Sequence, residues 1–301
     1  MRAGTTVDLA DDFVASGAPN EFLARGLIPV GKFWSLVFLT VPIFGVGVFV
    51  YGAAANIWLP PDVSESGHNI DHLFMFILWL TGAVFIATEG ALFWFLWKYN
   101  AGSNRGPVKY THGSHSLEIV WTILPAVTLL FIAIYQMNAW ADAKMRNPSA
   151  FLPDGRPDPN VVEIEVLARQ FEWRLRYPGK DHKLGTPDDL FTVNDIHVPV
   201  GKTVLVELKS GDVLHSFFLP NLRVKQDAVP GMRIPVWFKP MQIGWYDLPC
   251  AELCGWGHYK MKGRLTVESE EDYQAWLEQL SKEQNATTPP AAEAKAEGKT
   301  E

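Results

Sequence analysis

Three long apolar runs constrain this chain more than any other feature. Phe33 to Leu59 holds 27 residues without a charge. Leu73 to Trp97 holds 25 with Glu89 as the single charge, and Ile119 to Ala141 holds 23 uncharged residues. A helix needs about 20 apolar residues to cross a bilayer. Each run therefore predicts a membrane-spanning helix rather than a buried helix of a soluble core. The chain is 48% hydrophobic, and the excess is crowded into its first half.

The first run has two readings. Ala53-Ala54-Ala55 ends it in a small-residue pattern that a signal peptidase accepts. The run is longer than a usual signal core, however, and a segment carrying Asp8, Asp11, Asp12 and Glu21 precedes it. The expectation is an uncleaved helix, giving two or three spans in all. Lys98, Arg105 and Lys109 lie between the second and third runs, with no acid before Glu118. By the positive-inside rule that loop is cytoplasmic, and everything beyond Ala141 is on the outer side. Pro125 removes one N–H from the third span and predicts a kink. Glu89 reads as a hydrogen-bonded packing contact, and Glu118 as an interfacial residue or the start of a water path.

From Val161 the pattern changes to short alternating runs: Val161–Leu167, Thr203–Leu208, Ile234–Phe238 and Gly263–Val267. Gly, Pro, Asn and Asp separate them, as in a β-sandwich or barrel. Ser269–Lys282 reads as a capped amphipathic helix with Tyr273, Trp276, Leu277 and Leu280 on one face. The expected layout is an extension with the first span over 1–59 and a helical pair over 60–145, spanning about 73–97 and 119–141. A β-domain follows over 146–283, then a disordered tail over 284–301. Residues 178–195 look like a polar insertion. Asp181, Asp188 and Asp189 there are read as parts of a solvated hairpin, not a cation loop. Between Arg146 and Glu283 stand 17 Lys/Arg and 20 Asp/Glu, so no basic field is available for nucleic acid.

Chemistry concentrates in Cys250-Ala-Glu252-Leu-Cys254-Gly-Trp-Gly-His258-Tyr-Lys-Met261. His215 stands upstream in Asp212-Val-Leu-His215-Ser. Two thiols, two imidazoles and a thioether form a soft donor set, and a weak thioether ligand beside Cys and His marks electron-transfer copper. Two bridging thiolates accommodate two ions, with one His for each and Met261 and a loop carbonyl as weaker ligands. A Cys250–Cys254 disulfide and a Cys₂His₂ zinc site are the alternatives. The chain has two cysteines and no Cys-x-x-Cys-His, which excludes covalent haem attachment.

The Cys-x-Glu-x-Cys-x₃-His-x₂-Met stretch resembles the copper-A loop of cytochrome c oxidase subunit II, a haem–copper oxidase family. Asp212-Val-Leu-His215-Ser, Leu222-Arg-Val-Lys225-Gln-Asp227-Ala-Val-Pro230-Gly231 and Glu118-Ile-Val-Trp121-Thr-Ile-Leu-Pro125 are similar to other segments of that family. The resemblance implies a cupredoxin-like β-barrel behind transmembrane helices in the bacterial inner membrane, with the copper domain periplasmic. It implies a binuclear copper A held by His215, Cys250, the Glu252 carbonyl, Cys254, His258 and Met261. It further implies a magnesium shared with the catalytic subunit through the Glu252 side chain, and haem only in that partner.

Glu118 would stand at the mouth of a proton path. Partners would be subunit I, other oxidase subunits, cytochrome c or an equivalent donor, and membrane lipid. Family members often read Gln-Trp-x-Trp where this chain has Gln170-Phe171-Glu172-Trp173. Phe171 and Trp173 are thus the expected electron-arrival residues, although Phe is harder to oxidise than Trp. Quinol oxidase subunits lack the copper cysteines. Nitrous oxide reductase carries a large extra catalytic domain for which this chain has no room. The alternative of another class is a structural membrane protein with a disulfide-stapled β-domain.

Overall fold

The computed structural model describes residues 30–55, 57–99, 110 and 112–287. The acidic N-terminal segment, the loop charges Arg105 and Lys109, and the tail beyond Thr287 lie outside the described residues. Among the described residues two compact units emerge, one containing 30–55 and 79–99 and the other 57–78 and 114–287.

The first unit contains α1 (Val30–Ala54) and most of α2 (Gly67–Lys98). Lys32 lies over the Trp97 ring at 5.2 Å, and Lys98 over Trp94 at 5.6 Å. Such Trp and Lys pairs suit a headgroup interface, where an aromatic body meets apolar tails and a cation meets water.

In the second unit, α2 starts six residues before the expected position. Ser64 caps it by accepting the Gly67 N–H at 2.8 Å, so polar residues from His68 onward join the helix. The third helix, α3 (His115–Tyr135), is also shifted from the expected 119–141 and runs through Pro125 uninterrupted. Past Gln136 the chain continues as a short helix, α4 (Met137–Lys144). Residues 137–141 therefore leave the span. Contacts to the β-domain explain this: Trp237 Nε1 donates to Asp142 O at 3.0 Å, and Lys144 Nζ to Gln226 Oε1 at 2.6 Å. Helices α1, α2 and α3 are each long and apolar enough to cross a membrane.

Ten strands follow: β1 (Val161–Arg169), β2 (Glu172–Tyr177), β3 (Leu190–Val193), β4 (Asp195–Pro199), β5 (Thr203–Ser210), β6 (His215–Leu219), β7 (Val224–Ala228), β8 (Ile234–Phe238), β9 (Gly244–Pro249) and β10 (Lys262–Glu268). They form sheets β3-β2-β1-β5-β8, β4-β10-β9 and β6-β7. Alternation builds the core. On β1 every second residue, Ile164, Val166 and Ala168, is fully buried. Central β5 buries residues on both faces, as befits a strand flanked by β1 and β8.

The 178–195 segment is not an insertion throughout, because 190–193 is β3 and pairs antiparallel with β2. Its acids close the connecting turn: Gly185 N–H donates to Asp189 Oδ2 at 2.7 Å and Thr186 Oγ1 to Asp188 Oδ1 at 2.7 Å. The C-terminal helix α5 spans Glu270–Thr287, longer than expected, so residues 284–287 are helical rather than tail. Ser269 caps it, accepting from Asp272 N–H at 3.1 Å.

Candidate metal centre

Residues 250–261 are the connection of the β9–β10 hairpin. Pro249 pairs with Lys262, and Cys250 N–H donates to Met261 O at 3.0 Å, closing the loop at its base. The first and last candidate ligands thus meet because two strands pair. A 3-10 turn, His258–Lys260, carries His258 back toward the base. Strand β6 delivers His215 at its first residue. It joins the loop through an isolated bridge between Phe217 and Cys250 and through Ala251 N–H donating to Ser216 O at 3.0 Å.

The donors converge. Cys250 Sγ lies 4.0 Å from Cys254 Sγ and 3.9 Å from His215 Nδ1. Cys254 Sγ lies 3.7 Å from His258 Nδ1 and 3.8 Å from Met261 Sδ. The Glu252 carbonyl oxygen is 3.3 Å from Cys250 Sγ. These gaps suit donors that share metal ions, each ion lying about 2.0–2.3 Å from its nitrogen or sulfur ligands. They exceed the ~2.05 Å of a disulfide bond, and both thiols are free. His215, Cys250, Cys254 and Met261 are buried. Burial and the neighbouring Cys250 thiol push Cys254 up to about 11. A metal ion must therefore displace a proton to bind there.

Two supporting residues were not assigned from sequence. Asp212 Oδ1 accepts from His215 Nε2 at 2.8 Å. With the proton on Nε2, the Nδ1 lone pair faces Cys250. Asp212 also accepts Gln170 N–H at 2.7 Å and Val213 N–H at 2.6 Å, and these bonds help hold its carboxyl below the usual range. Gln170 Nε2 donates in turn to the Cys254 carbonyl. Asp212 precedes His215 by three residues, a signal visible in the chain but without meaning until the loop folds back.

The two aromatic residues expected at electron arrival sit differently. Trp173 is fully buried, packed edge-on against His215 at 6.3 Å and Phe217 at 5.7 Å. It backs the site from inside and offers no ring to an outside partner. Phe171 is half-buried against the loop. Glu118 lies exposed in the first turn of α3, 3.8 Å from His115 Nδ1, and is not gathered at the sulfurs. Glu89 is half-buried, and among the described residues no hydrogen bond supports the packing contact expected of it.

Helices of membrane-crossing length followed by a β-domain with a buried thiol–imidazole–thioether cluster define a membrane-anchored protein with a donor set compatible with metal binding. Residues 52–139 match the family described as cytochrome c oxidase subunit II, transmembrane domain, and 169–268 its periplasmic domain. An alternative cytochrome c oxidase subunit 2 of Bradyrhizobium diazoefficiens is 31% identical over 265 residues, 81% of this chain and 91% of that one. A cytochrome c oxidase subunit 2 of Cereibacter sphaeroides is 31% identical over 249 residues, 73% and 78% of the two chains. The crystal structure of the periplasmic domain of subunit II of cytochrome oxidase from Bradyrhizobium japonicum is 28% identical. Its TM-score is 0.37, and the match covers 40% of this chain and 94% of that one.

The chain belongs to the cytochrome c oxidase subunit II family. It is a membrane protein with a periplasmic, cupredoxin-like β-domain. The family's transmembrane match begins at residue 52, so it takes in α2 and α3 but only the end of α1.

Proposed function

We propose that this chain is the electron-accepting subunit of a cytochrome c oxidase in a bacterial inner membrane. In this reading His215, Cys250, Cys254, His258, Met261 and the Glu252 carbonyl hold a pair of copper ions on the periplasmic side. The carrying observation is the convergence of two free thiols, two imidazole Nδ1 atoms and a thioether within 3.7–4.0 Å along the chain of contacts. When bound, the copper pair supplies reversible one-electron chemistry with the charge shared over both ions.

The protein's own residues prepare that site. Asp212 holds the His215 proton on Nε2 and leaves Nδ1 free to ligate. Burial of both sulfurs keeps water out, so little solvent has to reorganise when charge arrives. The closed base of the hairpin fixes Cys250 and Met261 before any ion binds, which limits the geometry change on redox cycling. Glu252 belongs to the same loop, and its side chain is proposed as a ligand of a magnesium shared with the catalytic, haem-bearing subunit. Glu118 is proposed to open a proton path into that subunit. A cytochrome c or equivalent donor supplies the electrons.

The test is metal analysis and paramagnetic resonance of the purified full-length complex. The expected result is two coppers per chain and, when half-reduced, one electron delocalised over two copper nuclei. A colourless subunit that takes up no copper on reconstitution would favour the disulfide-stapled structural protein instead.

A further inference from the structure

Every sulfur and the His215 ring of the cluster are buried and His258 is half-buried, so an outside electron donor couples best through a side chain that stands on the surface beside His258. We infer that this side chain is Trp256, whose ring bridges the donor electronically to the metal that Cys254 and His258 would hold. The inference rests on the copper reading above.

Trp256 is 77% exposed, yet one glycine separates it from Cys254 and one from His258. Its π-system is thus joined along the backbone to two ligands at once, through roughly ten covalent bonds in each direction. Gly255 and Gly257 also let the loop wrap the Phe171 ring. A Cβ on Gly257 would lie 2.5 Å from Phe171 Cδ2, and one on Gly255 would lie 3.2 Å from Phe171 Cε1. Gly255 has φ +138, a conformation other residues rarely adopt. The Trp256 ring meets Phe171 edge-on at 5.2 Å. Lys260 sits over its other surface at 4.7 Å, holding the indole in place. That cation also disfavours a positive charge on the ring, so the indole serves as an orbital bridge and is not itself oxidised.

The step balances simply. The donor's haem is oxidised from ferrous to ferric, one electron crosses the indole, and a cupric ion in the site takes it up. No proton moves and no covalent bond changes. Other exposed candidates are less suited: Leu253 has no π-system, and Tyr259 makes no ring contact with Phe171.

The experiment uses the intact oxidase complex and reduced cytochrome c in stopped flow. Trp256→Ala is expected to lower the second-order rate by about tenfold or more. Copper content, copper spectrum and light-triggered onward electron transfer should stay at wild-type levels. Trp256→Phe keeps the apolar contact. It should hold affinity for redox-inert zinc cytochrome c within about threefold while still slowing electron transfer. Adding Phe171→Trp to Trp256→Ala should restore rate, which a merely structural role would not produce. Tyr259→Phe should match wild type. Wild-type rates in both Trp256 variants with copper intact would overturn the inference. If Trp256→Ala loses copper, Trp256→Phe and the Phe171→Trp rescue decide. A wild-type complex without copper would instead sink the proposed function itself.

Discussion

His215 Nε2–H donates to Asp212, and that bond decides which ring nitrogen is bare. Ligand-orienting carboxylates of this kind are worth about 10–100-fold in metal affinity. Asp212→Ala is accordingly expected to weaken copper binding by about that factor, measured by competition with a chelator, with little change in the fold. Met261 is the softest and weakest donor, buried at the hairpin base. Met261→Leu keeps the volume, so it should cost less than about 1.5 kcal/mol of stability. Copper should remain while its absorption and reduction potential shift; unchanged values would remove Met261 from the ligands. Gly257 is restricted for a different reason, the Phe171 ring against its Cα. Gly257→Ala should destabilise the domain by about 1–3 kcal/mol in thermal unfolding. Phe171→Ala in the same chain should recover much of that loss, because the two residues share one space.

Among the elements, α5 and the start of α2 are held by contacts that join distant parts of the chain. On α5, Trp276 stacks on His197 at 4.1 Å with an interplanar angle of 7°, and Tyr177 meets it edge-on at 5.1 Å. His197 is gripped in turn by Glu268 and by Asp195. Trp276→Ala should cost about 2–3 kcal/mol and expose 270–287 to limited proteolysis. At α2, Arg223 donates to both Asp71 oxygens, at 2.7 and 2.9 Å, and to the Pro60 carbonyl at 2.9 Å. It does so from a left-handed backbone, φ 58, that turns its side chain back from the end of a 3-10 turn, Pro220–Leu222.

Four strands were legible as alternating runs, but β2, β3, β4, β6, β7 and β9 were not individually recognised. On β7 the polar run Lys225-Gln226-Asp227 interrupts the apolar pattern, whereas β2 does alternate, with Glu172, Arg174 and Arg176 between the buried Trp173, Leu175 and Tyr177, and is simply short. Those strands exist because neighbours supply hydrogen bonds and cover one face, a tertiary effect that outweighs local propensity.

For the molecule as a whole, the proposed copper would link site and fold. The loop donors come from β6 and from the β9–β10 hairpin, two different sheets, so an ion bound there ties the sheets together. A ligand that binds only the folded state adds about 4 kcal/mol at a thousand times its dissociation constant. Stripping copper from the full-length protein should therefore lower the β-domain's unfolding temperature, with recovery on adding copper back. Calorimetry showing the same transition with and without copper would separate the site from the stability of the fold.

The chain alone determined that three helices are long and apolar enough to span a membrane, because 20 apolar residues have few other uses, and that a soft donor set of Cys, His and Met is present, though not where each helix begins and ends. It marked Cys250, Cys254, His258 and Met261 as a set since one hairpin connection carries them all. Tertiary structure decided what depends on residues far apart: that Asp212 orients His215, that Gln170 ties the loop to β1, that Trp173 is a core residue, and that Trp256 is the exposed ring. Side-chain identity survives in a linear string, whereas burial and direction are properties of whatever folds against it.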